Sequence, residues 1–254
     1  MELSIPAIFL SIAVFTAGFI DALAGGGGLI TFPAYLHYGL KTELLLGTNK
    51  LSSFFGTLIA VIKFFSEIKF RLKDLAFVFI LASGGSFLGA LLISSIPAFF
   101  LKYFLILALP AISIFILSRG EFGLSDFSSF LPSAILKTRL AIIAFSISFY
   151  DGLLGPGTGT LFAFAYSKFC GYDLLTATAL SKFSNLISNL AALATFLALG
   201  RVDIKLGLAM GAVSAAGNFL GSRAALKKGA GFIRPVLFLV SNALLAKIVY
   251  DMVK

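Results

Sequence analysis

Phe19-Ile20-Asp21-Ala22-Leu23-Ala24-Gly25-Gly26-Gly27-Gly28, continued by Leu29-Ile30-Thr31-Phe32, is the stretch that decides the fold, because its pattern returns as Phe149-Tyr150-Asp151-Gly152-Leu153-Leu154-Gly155-Pro156-Gly157-Thr158-Gly159-Thr160-Leu161-Phe162. In both places an apolar segment long enough for a membrane helix runs into an acid. Residues that cannot continue a helix follow. Unwound backbone at membrane depth is tolerated only where protein, water or a ligand satisfies it, so a duplicated break is a candidate site.

Composition supports the membrane reading. The 254 residues are 59% hydrophobic and 12% charged, with a mean hydropathy of +1.04, far from the balance of an ordinary soluble domain. Apolar runs near the span length of roughly 20 residues lie at Leu3–Leu23, Leu44–Ile62, Leu75–Ile93, Phe99–Leu117, Leu140–Leu154, Leu174–Leu199, Leu206–Leu220 and Phe232–Tyr250. Two shorter pieces, Leu29–Tyr38 and Leu161–Cys170, follow the glycine breaks. The first run is expected to be a span rather than a cleaved leader, since its pattern recurs internally around Asp151.

The net charge of +9 comes from Lys and Arg placed between apolar runs rather than along one helix face. That is the distribution of membrane-protein loops, and nucleic acid is not an expected partner. Cys170 is the only cysteine and His37 the only histidine, so neither an intrachain disulfide nor a thiolate metal site is available. No hydrolase elbow, metal triad or phosphate loop appears. The chain is expected to be neither an enzyme nor the carrier of a cofactor.

Three anchors relate the halves: Asp21 to Asp151, Lys50 to Lys182, and Ser86-Phe87-Leu88-Gly89 to Asn218-Phe219-Leu220-Gly221, separated by 130, 132 and 132 positions. Near-constant spacing indicates duplication. The expected fold is therefore an all-α polytopic membrane protein built from two tandem repeats. Each has four spanning helices plus one short broken or re-entrant helix, with residues 1–118 as the first repeat, 119–138 as linker and 139–254 as the second. The basic loop precedes the Gly-rich helix in the first half (Lys63, Lys69, Arg71, Lys73) and follows it in the second (Arg223, Lys227, Lys228, Arg234). By the positive-inside rule, equivalent loops then face opposite sides, the mark of inverted-topology repeats. Inversion requires Leu29–Tyr38 and Leu161–Cys170 to complete a crossing, although ten helical residues rise only about 15 Å.

Candidate binding residues cluster at two places in each half. Gly26, Gly27 and Gly28, with Gly157, Thr158 and Thr160, bring backbone N–H groups and hydroxyls to the starts of new helices at Leu29 and Leu161, where the helix dipole favours an anion. Lys50, beside Thr48 and Asn49, and Lys182, beside Ser181, Asn185 and Asn189, lie inside apolar spans. A lysine there is costly unless paired or near water, which makes it a functional candidate. The amides and hydroxyls around the lysines are expected to bond to them. Asp21 and Asp151 are candidates for lysine counter-ions or for proton and ion coupling.

The motifs Phe19-Ile20-Asp21-Ala22-Leu23-Ala24-Gly25-Gly26-Gly27-Gly28, Gly47-Thr48-Asn49-Lys50-Leu51, Phe149-Tyr150-Asp151-Gly152, Gly155-Pro156, Ser188-Asn189 and Ile233-Arg234-Pro235 resemble the sulfite exporter TauE/SafE family, also called the toluene-sulfonate uptake permease family. The resemblance covers nearly the whole chain. It departs at Ser181-Lys182-Phe183-Ser184-Asn185, where related sequences commonly read Ala-Lys-Leu/Val-Leu-Asn. The resemblance implies a transporter of the bacterial-type inner (plasma) membrane, working on sulfite, sulfoacetate, sulfonates or similar small anions. Together with the duplicated break, it points to secondary transport of a small anion by alternating access between the repeats, either coupled to protons or another ion or by facilitated diffusion. An anion channel and a non-transporting membrane scaffold or assembly factor are the alternatives.

Overall fold

The computed structural model describes residues 5–97, 123 and 125–229. The apolar runs Phe99–Leu117 and Phe232–Tyr250 lie outside the described residues, as does most of the front of the linker. Among the described residues there are eight α-helices and no strand: α1 Ile5–Ala24, α2 Gly28–His37, α3 Thr42–Glu67, α4 Leu72–Ser94, α5 Ser133–Leu153, α6 Thr158–Cys170, α7 Leu174–Ala198 and α8 Ile204–Lys228, with a 3-10 turn at Ser128–Phe130. Five of them, α1, α3, α4, α5 and α8, are long and apolar enough to cross a membrane.

Each short helix is bounded by glycine where the sequence breaks. Gly25 and Gly26 take φ of +77° and +88° at the end of α1, and Gly155 and Gly157 take +94° and +78° between α5 and α6. A side chain is disfavoured in that left-handed region, which is why these positions stop a helix. With 10 and 13 residues, α2 and α6 rise about 15 and 20 Å, short of a hydrocarbon core of about 30 Å.

Helix α5 begins at Ser133, directly after Pro132, inside the stretch that the sequence reads as linker to residue 138. Proline supplies no N–H, and a helix start is where that loss matters least. The stretch before it is docked rather than loose. The Phe127 N–H donates to the Gly171 carbonyl at 2.7 Å, and the Leu174 N–H to the Gly123 carbonyl at 3.0 Å.

Helix α4 packs along α5, α1 along α8, and α3 against both α7 and α8, while α4 also lies on α7. Small residues make the closest approaches. Gly85 and Gly89 of α4 press on the backbone of Phe145 and Phe149 in α5, and Gly217 and Gly221 of α8 press on that of Phe15 and Phe19 in α1. Without a side chain at those points the helices gain van der Waals contact over their length, the main attraction between helices in lipid. Outward faces carry Ile12, Ile80 and Ile142, each about 60% exposed or more, whereas Lys50, Lys182, Asn49 and Asn189 are buried. Apolar outside and polar inside is the arrangement a bilayer selects.

A Cβ at Gly89 would run into the Phe149 carbonyl oxygen, while one at Gly84, in the same helix, meets nothing within 4 Å. Gly89→Ala is expected to destabilise the protein by about 1–3 kcal/mol through overpacking, and Gly84→Ala to be neutral or to stabilise by up to about 1 kcal/mol. Thermal unfolding of both variants in detergent checks the contrast. Equal melting temperatures would contradict the packing assigned to α4 and α5.

Candidate functional site

The two glycine breaks touch. Gly25 lies so close to Gly159 and the Thr160 amide that no Cβ fits between them, and a Cβ at Gly28 would come within 3.3 Å of the Pro156 Cα. Two segments more than a hundred residues apart in sequence thus form one backbone-to-backbone junction. Glycine is needed there both for its left-handed dihedrals and for the approach itself.

Four charges surround this junction. Lys50 Nζ lies 2.8 Å from Asp151 Oδ2, with both side chains 2% exposed. Lys182 Nζ lies 2.9 Å from Asp21 Oδ2, with the lysine fully buried and the acid 18% exposed. Each lysine therefore pairs with the aspartate of the other half of the chain. Lys50 and Lys182 stand eight residues from the starts of α3 and α7, about 12 Å along each helix, so both ammonium groups reach the junction from equal depth. Lys50 is also within electrostatic reach of Asp21, which makes the four groups one cluster of no net charge.

Further bonds fix the carboxylates, and they differ between the two pairs. Asp151 accepts from the Ser188 hydroxyl, and Ser188 in turn receives the Ser86 hydroxyl on its carbonyl at 2.6 Å. Asp21 instead accepts the Gly27 N–H at 3.2 Å on Oδ1. An acid of the protein itself therefore occupies the start of α2, where the helix dipole favours negative charge.

The cavity at the junction has a volume of about 30 Å³ and is lined from α1, α2, α3, α5, α6, α7, α8 and the breaks between them. It has room for one or two waters. Of the residues singled out in the sequence, Asp21, Gly26, Gly27, Gly28, Asn49, Lys50, Asp151, Gly157, Thr158, Asn185 and Asn189 line it. Thr48, Thr160, Ser181 and Lys182 are not among its lining residues. Thr48 accepts the Asp203 N–H at 2.9 Å, tying α3 to the start of α8. Ser181 donates to the Gly159 carbonyl at 2.7 Å, bracing the second break from behind.

Three expectations change. The short helices start at Gly28 and Thr158, and the N–H groups of Leu29 and Leu161 are spent on the carbonyls of Gly26 and Gly157, both at 3.0 Å. They do not face a ligand. The Thr158 hydroxyl likewise gives its proton to the Gly155 carbonyl at 2.5 Å. The amides bond to groups other than the lysines: the Thr31 hydroxyl donates to Asn49 Oδ1 at 2.5 Å, and Asn189 Nδ2 to Asn185 Oδ1 at 2.8 Å. The carboxylates, not these amides, hold the lysines, since only an anion offsets the cost of a buried ammonium.

The sequence reading missed Thr31, Ser53, Ser214 and Asn218, all on the cavity wall. Asn218 had served only as an anchor relating the halves. Its position one turn after Ser214 and one turn before Ser222, in a helix whose middle is otherwise made of small and apolar residues, was the available signal. His37 stands apart, packed edge-on against Phe9 at 5.3 Å, and Cys170 is buried.

Comparison with known proteins gives the chain a family and relatives. A family model for the sulfite exporter TauE/SafE matches residues 10–248. A probable membrane transporter protein, ORF9, of a Sinorhizobium species is 39% identical over 243 residues, covering 96% of this chain and 92% of the relative. A probable membrane transporter protein of Haemophilus influenzae is 38% identical, covering 99% of this chain and 98% of its own. The probable membrane transporter protein YfcA of Escherichia coli K12 is 35% identical, covering 92% of this chain and 86% of its own. No solved structure matches. The chain belongs to the sulfite exporter TauE/SafE family and is an integral membrane transporter.

Proposed function

We propose that the protein is a secondary transporter of small anions, with sulfite, other sulfur oxyanions and organosulfonates as the first candidates, and that the cargo binds at the junction of the two glycine breaks. The observation that carries this reading is the crossed pairing, Lys50 with Asp151 and Lys182 with Asp21. Ionised groups held inside a membrane protein mark a substrate or ion route. The family name supplies sulfite as a candidate for this chain.

The same pairing supports two tandem repeats, with seams near residues 119–138, that move against each other. Contacts exchange in matching fashion, α4 with α5 and α1 with α8, which fits repeats related by an internal axis. The swap of basic loops in the sequence favours inverted topology. A cavity of only about 30 Å³ fits a closed state of an alternating-access cycle better than an open pore.

An incoming anion competes with a carboxylate for its lysine. Protonation of Asp21 would release Lys182 and leave the cluster with one positive charge to offset the cargo. Proton and anion then move together, and both leave before the pair re-forms. Asp21 is better suited to this role than Asp151, because it is partly exposed and lacks the hydroxyl partner that Ser188 gives Asp151. Asn49, Asn185 and Asn189 lie at hand to orient the ligand.

Removing one member of a buried pair leaves an uncompensated charge, and Lys50→Ala is expected to cost about 3–5 kcal/mol. Lys50→Met combined with Asp151→Leu restores stability but not transport. Counterflow of radiolabelled sulfite in proteoliposomes, beside thermal unfolding, separates a binding pair from a mere tie between helices. Wild-type flux in the stable double variant would refute the binding role of Lys50.

Asp21→Asn mimics the protonated acid. Such a variant is expected to keep anion exchange while losing uptake driven by a pH gradient. A pH-driven uptake equal to that of wild type would exclude Asp21 as the proton carrier.

A further inference from the structure

Asn218 is 2% exposed and lines the cavity. Its amide orientation is set by its own helix: Nδ2 donates to the Ser214 carbonyl at 3.0 Å, with the Ser214 hydroxyl at 3.4 Å. Turning the amide over would place two carbonyl oxygens together. Oδ1 therefore faces away from Ser214, and it has no hydrogen-bond partner among the described residues. A buried acceptor without a donor is costly, and in a native structure it calls for water, an ion or a ligand group to satisfy it.

The surroundings limit what that group can be. Gly18 of α1 and Gly56 of α3 hold the amide so tightly that a Cβ on Gly18 would come within 2.9 Å of Nδ2, and one on Gly56 would come closer still. The side chain cannot swing to another partner without moving a helix. The equivalent position in the first half is Ser86, whose hydroxyl is spent on the Ser188 carbonyl. Among the described residues, Asn218 Oδ1 is the one buried side-chain acceptor without a partner that belongs to a residue of the cavity wall, while other walls carry Lys50 and the glycine breaks. Two lysines against two aspartates also leave no spare positive charge, which disfavours a fully deprotonated dianion.

We infer that the cargo is a monoanion that also carries a hydrogen-bond donor, a hydroxyl or a protonated oxyanion group, and that Asn218 Oδ1 accepts from it. This inference rests on the anion-transport reading and names its substrate class more narrowly. The anionic group lies toward Lys50 and the donor toward α8. Rejection of anions lacking the donor follows from the acceptor they would leave buried and unpaired.

Two matched pairs of anions test it: glycolate against propionate, and 2-hydroxyethanesulfonate against 1-propanesulfonate, each pair equal in size and charge at neutral pH and differing only in a hydroxyl. Binding to purified wild-type protein by calorimetry is expected to favour the hydroxylated member of at least one pair by about tenfold or more, the value of one such bond. Asn218→Leu keeps the side-chain size and leaves the Ser214 carbonyl its helical partner. It is expected to bring the ratio to within about twofold while still binding the anion without a donor. Equal binding within both pairs by wild type, or a preference that survives in Asn218→Leu, would overturn the inference and leave the anion reading intact. Binding of no anion in any arm would overturn both. Should Asn218→Leu fail to fold, the wild-type ratios alone decide.

Discussion

Everything in the centre of this molecule depends on two ammonium groups buried at about equal depth in α3 and α7, each neutralised by a carboxylate from the opposite half of the chain. An unpaired lysine at such a site would not stay charged, and a buried ion pair gains little over an apolar pair of the same volume. The pairs are therefore poor devices for stability. They do fix which helices must meet: α3 with α5, and α7 with α1.

The meeting of those helices depends in turn on glycine. The lysines reach across only because the breaks at Gly25–Gly28 and Gly155–Gly159 lie backbone against backbone, with Gly25 filling space that any side chain would close. The interhelical stripes at Gly85 and Gly89 and at Gly217 and Gly221 bring α4 to α5 and α8 to α1 by the same means. Ion pairs and glycines belong to one constraint, since widening either contact by the depth of a methyl group would pull a carboxylate away from its ammonium.

Much of this was legible in the sequence. Hydropathy located the helices, and left-handed glycine breaks followed from the residue type. The intramembrane Lys and Asp were visible because charge is so costly there. What could not be read was pairing. Nothing in the local sequence says that Lys50 meets Asp151 rather than Asp21, since that depends on how the halves pack. Helix starts at Gly28 and Thr158 rather than at Leu29 and Leu161 depend on which N–H groups the turn itself consumes. Asn218 escaped notice because a lone amide on a helix of small residues has no signature until its neighbours are known.

The two pairs, alike in outline, are not alike in chemistry. Ser188 stands where the first half has Gly56, so Asp151 gains a hydroxyl donor, while the space opposite Gly56 is taken by Ser214 and Asn218. The matched positions Gly56 and Ser188, with Ser86 and Asn218, thus leave a carboxylate held by a lysine and a hydroxyl on one side, and on the other a partly exposed carboxylate near a wall with an orphaned acceptor. Perfect symmetry would have made the two pairs equivalent. Divergence at Ser188 and Asn218 instead leaves Asp151 enclosed by a lysine and a hydroxyl, and Asp21 partly exposed beside its lysine.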